Sequence, residues 1–338
     1  MAFQSIQEVL EGFRNLRVMV IGDVMIDAYI YGSVKRISPE APVPVVSVTK
    51  RDKRLGGAAN VALNVQALGA KPILCSVIGK DNDGQDFKEL LNVQNLSSEG
   101  ILESDKRITT VKNRVMSSSQ HLLRIDSEIE TNLSDQDEEF FIARLKTLLA
   151  DCDLVIFEDY DKGVLNARII REVIEEAKKL NIPTAVDPKK KNFNFYKSCS
   201  LFKPNLKELR EGLGIDIDPK STGEVENAVG KLKELLDFDQ ALITLSEFGV
   251  YYHSDKEKGR HPAHLRSISD VSGAGDTVIS IAAMALALGC SLPFVSELAN
   301  LGGGIVCEYQ GVVPIDPERL KKESVNNPIL ENWLRPSS

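Results

Sequence analysis

One pattern repeats along most of this chain: a short apolar run of strand length ends in polar or charged residues, and a helical stretch follows. Its first instance is Arg17-Val-Met-Val-Ile-Gly22, after which come Asp23 and Asp27. It returns at 154–157, ending in Glu158-Asp-Tyr-Asp-Lys-Gly163, and at 184–186, ending in Asp187-Pro-Lys189. Two more runs, 201–203 and 241–245, end in Pro204-Asn205 and Ser246-Glu-Phe-Gly249. Unbroken apolar strands of this kind are buried on both faces of a parallel sheet, and ligands of such sheets bind beyond the strand C-termini. The expected fold is therefore α/β: a doubly wound, mostly parallel sheet flanked by helices, with its site along one edge.

Two stretches break the rhythm. Residues 28–53 and 107–126 are β-prone pieces divided by Pro39 and Pro42 in the first case and by a hairpin-like Ser117-Ser-Ser in the second. They read as one small accessory sheet, either a lid over the site or a dimer contact. With 338 residues, no internal repeat and no clear linker, the chain is expected to form one main domain over 1–328, the lid inserted in it, and a peripheral tail over 329–338.

Two helices are opened by glycines. Asp270-Val-Ser-Gly-Ala-Gly-Asp276 leads into the apolar stretch 277–288, and Leu55-Gly-Gly-Ala-Ala-Asn60 leads into another helix. Free N–H groups at a helix N-terminus make an anion site. A carboxylate in that first turn would repel a phosphate, so Asp276 reads as a general base beside an anion hole formed by the amides of Gly273, Ala274 and Gly275. The ordinary alternative is an acidic first-turn residue with structural glycines. Gly56 and Gly57 allow a ligand close to the backbone, and Asn60 could hydrogen-bond a polyol. Asp23 reads as a turn cap rather than a ligand.

The net charge of −8 argues against general nucleic-acid affinity. The N-terminus lacks the apolar core of a signal peptide and no run is long enough for a bilayer, so a cytoplasmic location is expected. Five scattered cysteines and four histidines show no zinc spacing; a metal is expected to arrive with a nucleotide. The P-loop pattern and a G-x-G-x-x-G after the first strand are both missing, which leaves a nicotinamide enzyme unsupported.

Gly56-Gly-Ala-Ala-Asn60 and Asp270-Val-Ser-Gly-Ala-Gly-Asp276 resemble the two signatures of the ribokinase-like (PfkB) carbohydrate kinases, and Asn205-Leu-Lys-Glu208 resembles their N-x-x-E motif. Within that family, Val20-Ile-Gly-Asp-Val-Met-Ile-Asp27, the segment 36–46 and Asp159-Tyr-Asp-Lys-Gly163 are similar to the kinase half of bacterial ADP-heptose synthesis proteins. The resemblance implies an ATP- and Mg²⁺-dependent kinase that converts D-glycero-D-manno-heptose 7-phosphate to the 1,7-bisphosphate, with the adenylyl transfer expected from a separate nucleotidylyltransferase. Asp276 would deprotonate the anomeric hydroxyl, while Asp27, Gly56, Gly57 and Asn60 would hold the sugar. Asn205 and Glu208 would act near the phosphates, with Glu208 reaching the metal through water. Thr244, Ser246, Gly249, Asn300 and Gly303 would line the nucleotide pocket. Arg36, Arg124, Lys162 and Lys189 are the cations expected to meet the phosphate already on the sugar. A homodimer through the lid is implied as well.

Leu245 stands where such heptose kinases carry Arg, and Asn300-Leu-Gly-Gly-Gly304 replaces a more alanine-rich segment. Other sugar or nucleoside kinases of the family remain open, as does a silent sugar-binding protein on the same fold. The anomer, the preferred nucleotide and any monovalent-cation requirement are also open.

Overall fold

The computed structural model describes residues 3–117 and 120–334. In chain order the elements are α1 (Ile6–Gly12), β1 (Arg17–Gly22), β2 (Val24–Ile37), β3 (Pro44–Gly57), α2 (Ala58–Ala67), β4 (Lys71–Gly79), α3 (Asn82–Val93), β5 (Gly100–Ser104), β6 (Val111–Ser117), β7 (Gln120–Ser127) and α4 (Asp135–Leu149). There follow β8 (Leu154–Glu158), α5 (Ala167–Lys179), β9 (Thr184–Asp187), β10 (Leu201–Phe202), α6 (Leu206–Leu213), α7 (Thr222–Leu236) and β11 (Gln240–Thr244). The last are β12 (Val250–Ser254), β13 (Lys258–His261), α8 (Ala274–Ala287), α9 (Leu292–Val306), α10 (Pro317–Val325) and α11 (Pro328–Leu334).

Nine strands form one sheet in the order β13-β12-β11-β10-β9-β8-β1-β4-β5. Only β12 and β13 run antiparallel to their neighbours; the other pairings are parallel, as the apolar runs required. Strand β1 shows why this sheet is covered on both sides. Val18 and Val20 point into one core with Ala58, Val61 and Ile279, whereas Met19 and Ile21 point into the other with Phe157, Ile170 and Val173. The chain goes from β1 to β4 on one side and returns to β8 on the other, so the topological switch lies beside β1. That is where an α/β sheet leaves a crevice outside its strand ends.

The lid is a second sheet, in the order β3-β2-β6-β7. Its strands reach further than the expected insert: β2 starts at Val24, one residue after β1, and β3 runs to Gly57, where α2 begins. Ser118 and Ser119, in the expected hairpin turn, lie outside the described residues. The tail departs from expectation. Residues 328–334 form a helix whose Leu330 is fully buried in the core, because Asn327 caps it and ties it to α9 through Glu297. Residues 335–338 lie outside the described part. Among the described residues no helix is long and apolar enough to cross a membrane.

Candidate active site

The ends of β1, β8, β9 and β10 meet the N-terminus of α8. Gly273 takes a left-handed conformation with φ of 80°, which lets the loop turn sharply into α8. From Asp276 to Ala285 every residue of that helix is buried, so its position is fixed by packing on all sides. Asp276 itself is 5% exposed. Its Oδ2 accepts from Asn60 Nδ2 at 2.6 Å and its Oδ1 from the Tyr160 hydroxyl at 3.0 Å. Burial raises its carboxyl above the ordinary value of 3.8; the Asn60 hydrogen bond opposes this, Asp187 adds to it, and Tyr160 and Lys203 pull it back. Such a carboxylate is a stronger base than an exposed aspartate while staying oriented by two donors.

Below it lie two further carboxylates. Glu158 and Asp187 are opposite one another in the β8–β9 register, and with Asp276 they present oxygens within 4.8 Å of one another. Glu158 is 1% exposed, its Oε2 has no hydrogen-bond partner, and burial together with Asp187 and Asp276 raises its carboxyl well above the ordinary range. Lys203 answers part of this charge, with Nζ 2.8 Å from Asp187 Oδ2. Burial alone would lower its ammonium, but Asp187 and Glu208 outweigh that and raise it.

Two cavities flank the turn at 270–273. One, of about 530 Å³, is lined by Asp187, Lys189, Lys203, Asn205, Thr244 and Ser246 together with Gly273, Gly275 and Asp276. The other, of about 350 Å³, lies on the lid side between Tyr29, Tyr31, Arg54, Arg114, Asp270 and Gly311. Asp276 and the α8 N-terminus therefore face a lysine-rich cavity on one side, and the same turn walls an arginine-lined cavity on the other. The first suits a polyphosphate, the second a separate polar molecule.

The chain matches the family described as "pfkB family carbohydrate kinase" over residues 15–319. It belongs to that family. It is accordingly a phosphotransferase with a sugar hydroxyl as acceptor. A curated relative named "Bifunctional protein HldE" from Desulfatibacillum aliphaticivorans is 39% identical over 318 residues, covering 94% of this chain and 65% of the relative. A relative of the same name from Caulobacter vibrioides is 40% identical over 301 residues, covering 88% of this chain and 61% of the relative. The chain thus spans somewhat under two thirds of the length of these relatives. In fold, it is similar to phosphofructokinase-2 from Escherichia coli in complex with potassium, with TM-score 0.75 at 16% identity over 94% of this chain and 98% of the other. It is similar also to Arabidopsis thaliana ribokinase complexed with ribose and ATP, with TM-score 0.69 at 18% identity over 95% and 99%.

The pfkB signature residues come together. Gly57, with φ of 62°, caps α2, and a Cβ on Gly56 would run into the Asp27 carboxylate. Asn60 is fully buried, and it gives its amide N–H to Asp276 while its Oδ1 has no partner. In the anion hole, the Ala274 N–H is turned to the Val271 carbonyl at 3.3 Å, whereas those of Gly273 and Gly275 have no partner among the described residues. Asn205 and Glu208 form a reciprocal capping box on α6. That changes the expected role of Glu208: Oε2 accepts the Asn205 N–H at 2.8 Å and Oε1 takes the Lys189 ammonium, so both oxygens already have protein partners.

Three expected nucleotide residues stand outside the wall of the 530 Å³ cavity. Gly249, with φ of 84°, makes the β11–β12 turn against the His261 carbonyl; Asn300 holds the Pro262 carbonyl at 2.9 Å; and Gly303 brings α9 against Val278 of α8. The Gly302–Gly304 run has a packing cause, because a Cβ on Gly302 would strike Ile281. Leu245 is fully buried in the core, so Thr244 and Ser246 alone face the cavity from this corner.

The four cations expected at the sugar phosphate do not converge. Arg36 is exposed on β2, and Arg124 is exposed on β7 with Asp126 as its partner. Lys162 is held between Glu128 and Glu130 at 2.8 and 2.7 Å, and Lys189 lines the 530 Å³ cavity and pairs with Glu208. Asp23 behaves as the turn cap expected of it: its carboxylate accepts the N–H groups of Tyr160, Lys162 and Val164 at 2.9 to 3.0 Å. Glu158, Asp187, Tyr160 and Lys203 were not given roles by the sequence, although each sits at or just beyond a strand C-terminus, the one signal that marked them.

Proposed function

We propose that this chain transfers the γ-phosphate of ATP to O1 of D-glycero-D-manno-heptose 7-phosphate, making the 1,7-bisphosphate for ADP-heptose and lipopolysaccharide core synthesis in the cytoplasm. What carries the reading is the position of Asp276, a buried and oriented carboxylate at the α8 N-terminus that lines the lysine-rich cavity, beside the turn whose other residues wall the lid-side cavity. The heptose specificity is supported by identities of 35–40% to relatives named HldE.

Asp276 takes the proton from the anomeric hydroxyl as O1 attacks the γ-phosphorus; the O1–P bond forms, the bond to the β-phosphate oxygen breaks, and ADP leaves with that electron pair. The Gly273 and Gly275 amides face the transferring group, and Lys189 and Lys203 offset charge on the donor phosphates. The residues fit a hard divalent ion such as Mg²⁺: Glu158 and Asp187 supply carboxylate oxygens, one of them buried without a partner, and leave Asp276 free for the proton. Such an ion would neutralise charge on the phosphates. Asp27 would bind sugar hydroxyls. A homodimer through the lid belongs to the same proposal, supported by the exposed apolar side chains Val34, Ile37, Val48, Leu122, Leu123 and Ile125 on that sheet.

The test is an ADP-release assay with Mg-ATP and heptose 7-phosphate, fructose 6-phosphate, fructose, ribose or adenosine, with the product position read by phosphorus NMR. Turnover confined to heptose 7-phosphate at O1 is expected. Preference for another sugar would keep the mechanism and remove the pathway, and sugar binding without turnover of any member would favour a silent binder.

A further inference from the structure

Helix α2, which carries Asn60, packs against α8, which carries Asp276. The buried apolar residues of α2 are all alanine or valine. Such a face fills space, yet little in it resists a small slide along the neighbouring helix. The same face also buries two asparagines, Asn60 and Asn64, one helical turn apart. Asn60 orients the base, whereas Asn64 lines neither cavity.

Asn64 is fully buried, and its three partners stand on three different segments. Its Nδ2 donates to the Asn60 carbonyl at 2.9 Å, while its Oδ1 accepts from Thr277 Oγ1 and from the Ile315 N–H, both at 3.0 Å. The Ile315 N–H can only donate, so it fixes which way the carboxamide is turned. Thr277, whose Oγ1 also lies 3.2 Å from the Gly273 carbonyl, directly follows Asp276. Ile315 closes a segment that backs the glycine turn: the Gly311 N–H holds Asp270 at 3.0 Å, and a Cβ on Gly273 would come 3.3 Å from Val312 Cγ1. A carboxamide is costly to bury unless both its ends are met, and a leucine would fill the space without that demand. What the amide adds is direction, because a fully satisfied buried network holds a register that small apolar side chains leave loose.

We propose that Asn64 is a positioning residue for phosphoryl transfer: it locks α2, α8 and the 311–315 segment in the one register that brings the Asn60 amide to the Asp276 carboxylate. It acts through Asn60 and Thr277 and lines neither cavity. The inference rests on reading Asp276 as the base.

ADP release would be measured with Mg-ATP and whichever sugar the wild type turns over fastest, on Asn64→Leu, Thr277→Val, Thr277→Ser, Asn60→Ala, the Asn60→Ala/Asn64→Leu double variant and Asp276→Asn, each well below its thermal unfolding midpoint. Asn64→Leu should lower kcat about 10- to 100-fold, the loss expected from a displacement on the order of 1 Å, and leave the KM for ATP near that of wild type. Thr277→Val should lower kcat about 3- to 10-fold, as for one lost neutral hydrogen bond, and Thr277→Ser, which keeps the hydroxyl, should restore it. In the Asn60→Ala background Asn64→Leu should lose most of its effect, because the group it positions is gone. A merely structural role would let the two losses multiply in full, and that result would overturn the inference. Should Asn64→Leu fail to fold, the Thr277 variants decide, since Asn64 Oδ1 keeps the Ile315 N–H in both. Wild-type kcat in Asn64→Leu, or in Thr277→Val where Asn64→Leu does not fold, beside an inactive Asp276→Asn would sink this inference and leave the base in place. Wild-type turnover by Asp276→Asn would instead remove the base, and this inference with it.

Discussion

The two sides of the 270–273 turn are built in opposite ways. On the side of the 530 Å³ cavity, the carboxylates and lysines stand at or just beyond the ends of parallel strands, and both Lys203 and Asp187 are almost fully buried. Neither Lys203 nor Asp187 can move without disturbing the core. On the lid side, the arginines come from two strands of a sheet whose far parts are exposed, and their orientation depends on one tyrosine ring and single ion pairs. Under the proposed function, proton removal and phosphate charge fall on the rigid half, where small displacements cost most. Under the same proposal, recognition of the acceptor falls to the half built from the lid strands.

If that contrast holds, changes on the rigid side should damage chemistry or folding, and those on the lid should alter acceptor affinity. The largest effect is expected from Asp276→Asn, with kcat lower by about 10²- to 10⁴-fold and ATP binding retained by calorimetry; wild-type turnover would end its role as the base. Next, Lys203→Met leaves Asp187 as an unpaired buried charge, and urea unfolding should show a loss of about 3–5 kcal/mol. The acid limb of kcat comes third. The ionised carboxylate is the active form, so kcat should fall about tenfold per pH unit below the Asp276 pKa, with an inflection above 3.8 because burial raises it. Asn60→Ala removes the largest opposing hydrogen bond and should move that inflection to still higher pH. Lys162→Met, which frees Glu128 and Glu130 at the rim of the sheet, should cost about 1 kcal/mol by the same urea measurement. Last, Arg124→Ala should leave the KM for the sugar phosphate within about twofold, since an exposed ion pair contributes about 0–1 kcal/mol; a large increase would return this residue to the site and weaken the division.

How much of this could be read in advance follows the same line. Arg17–Gly22 was legible to the residue, because an unbroken apolar run has only one place in a covered sheet. The place of Asp276 in the first turn of α8 was legible because its glycine turn and apolar helix are contiguous in sequence. Glu158 and Asp187 were visible as strand ends, but their meeting needs the β8–β9 register, which no local pattern contains. Arg54 and Arg114 were harder still. They lie 60 positions apart, and their approach to Tyr29 depends on a lid register interrupted by bulges near Tyr31 and Val34. The four cations named instead were chosen by charge and strand position, which cannot reveal that Glu128 and Glu130 hold Lys162, that Glu208 holds Lys189 or that Arg124 pairs with Asp126.

The hairpin of β2 and β3 has a mechanical consequence. Both strands are 14 residues long, about 45 Å at the usual rise per residue, and both are rooted in the site. The first leaves the sheet through Asp23, which also anchors the loop carrying Tyr160; the second ends at Gly57, directly before the helix carrying Asn60. Those are the two donors that orient Asp276. The hairpin thus has a long outer arm and two roots, one at Asp23 and one at Gly57. A displacement of either root would reach one of the two hydrogen bonds that hold Asp276.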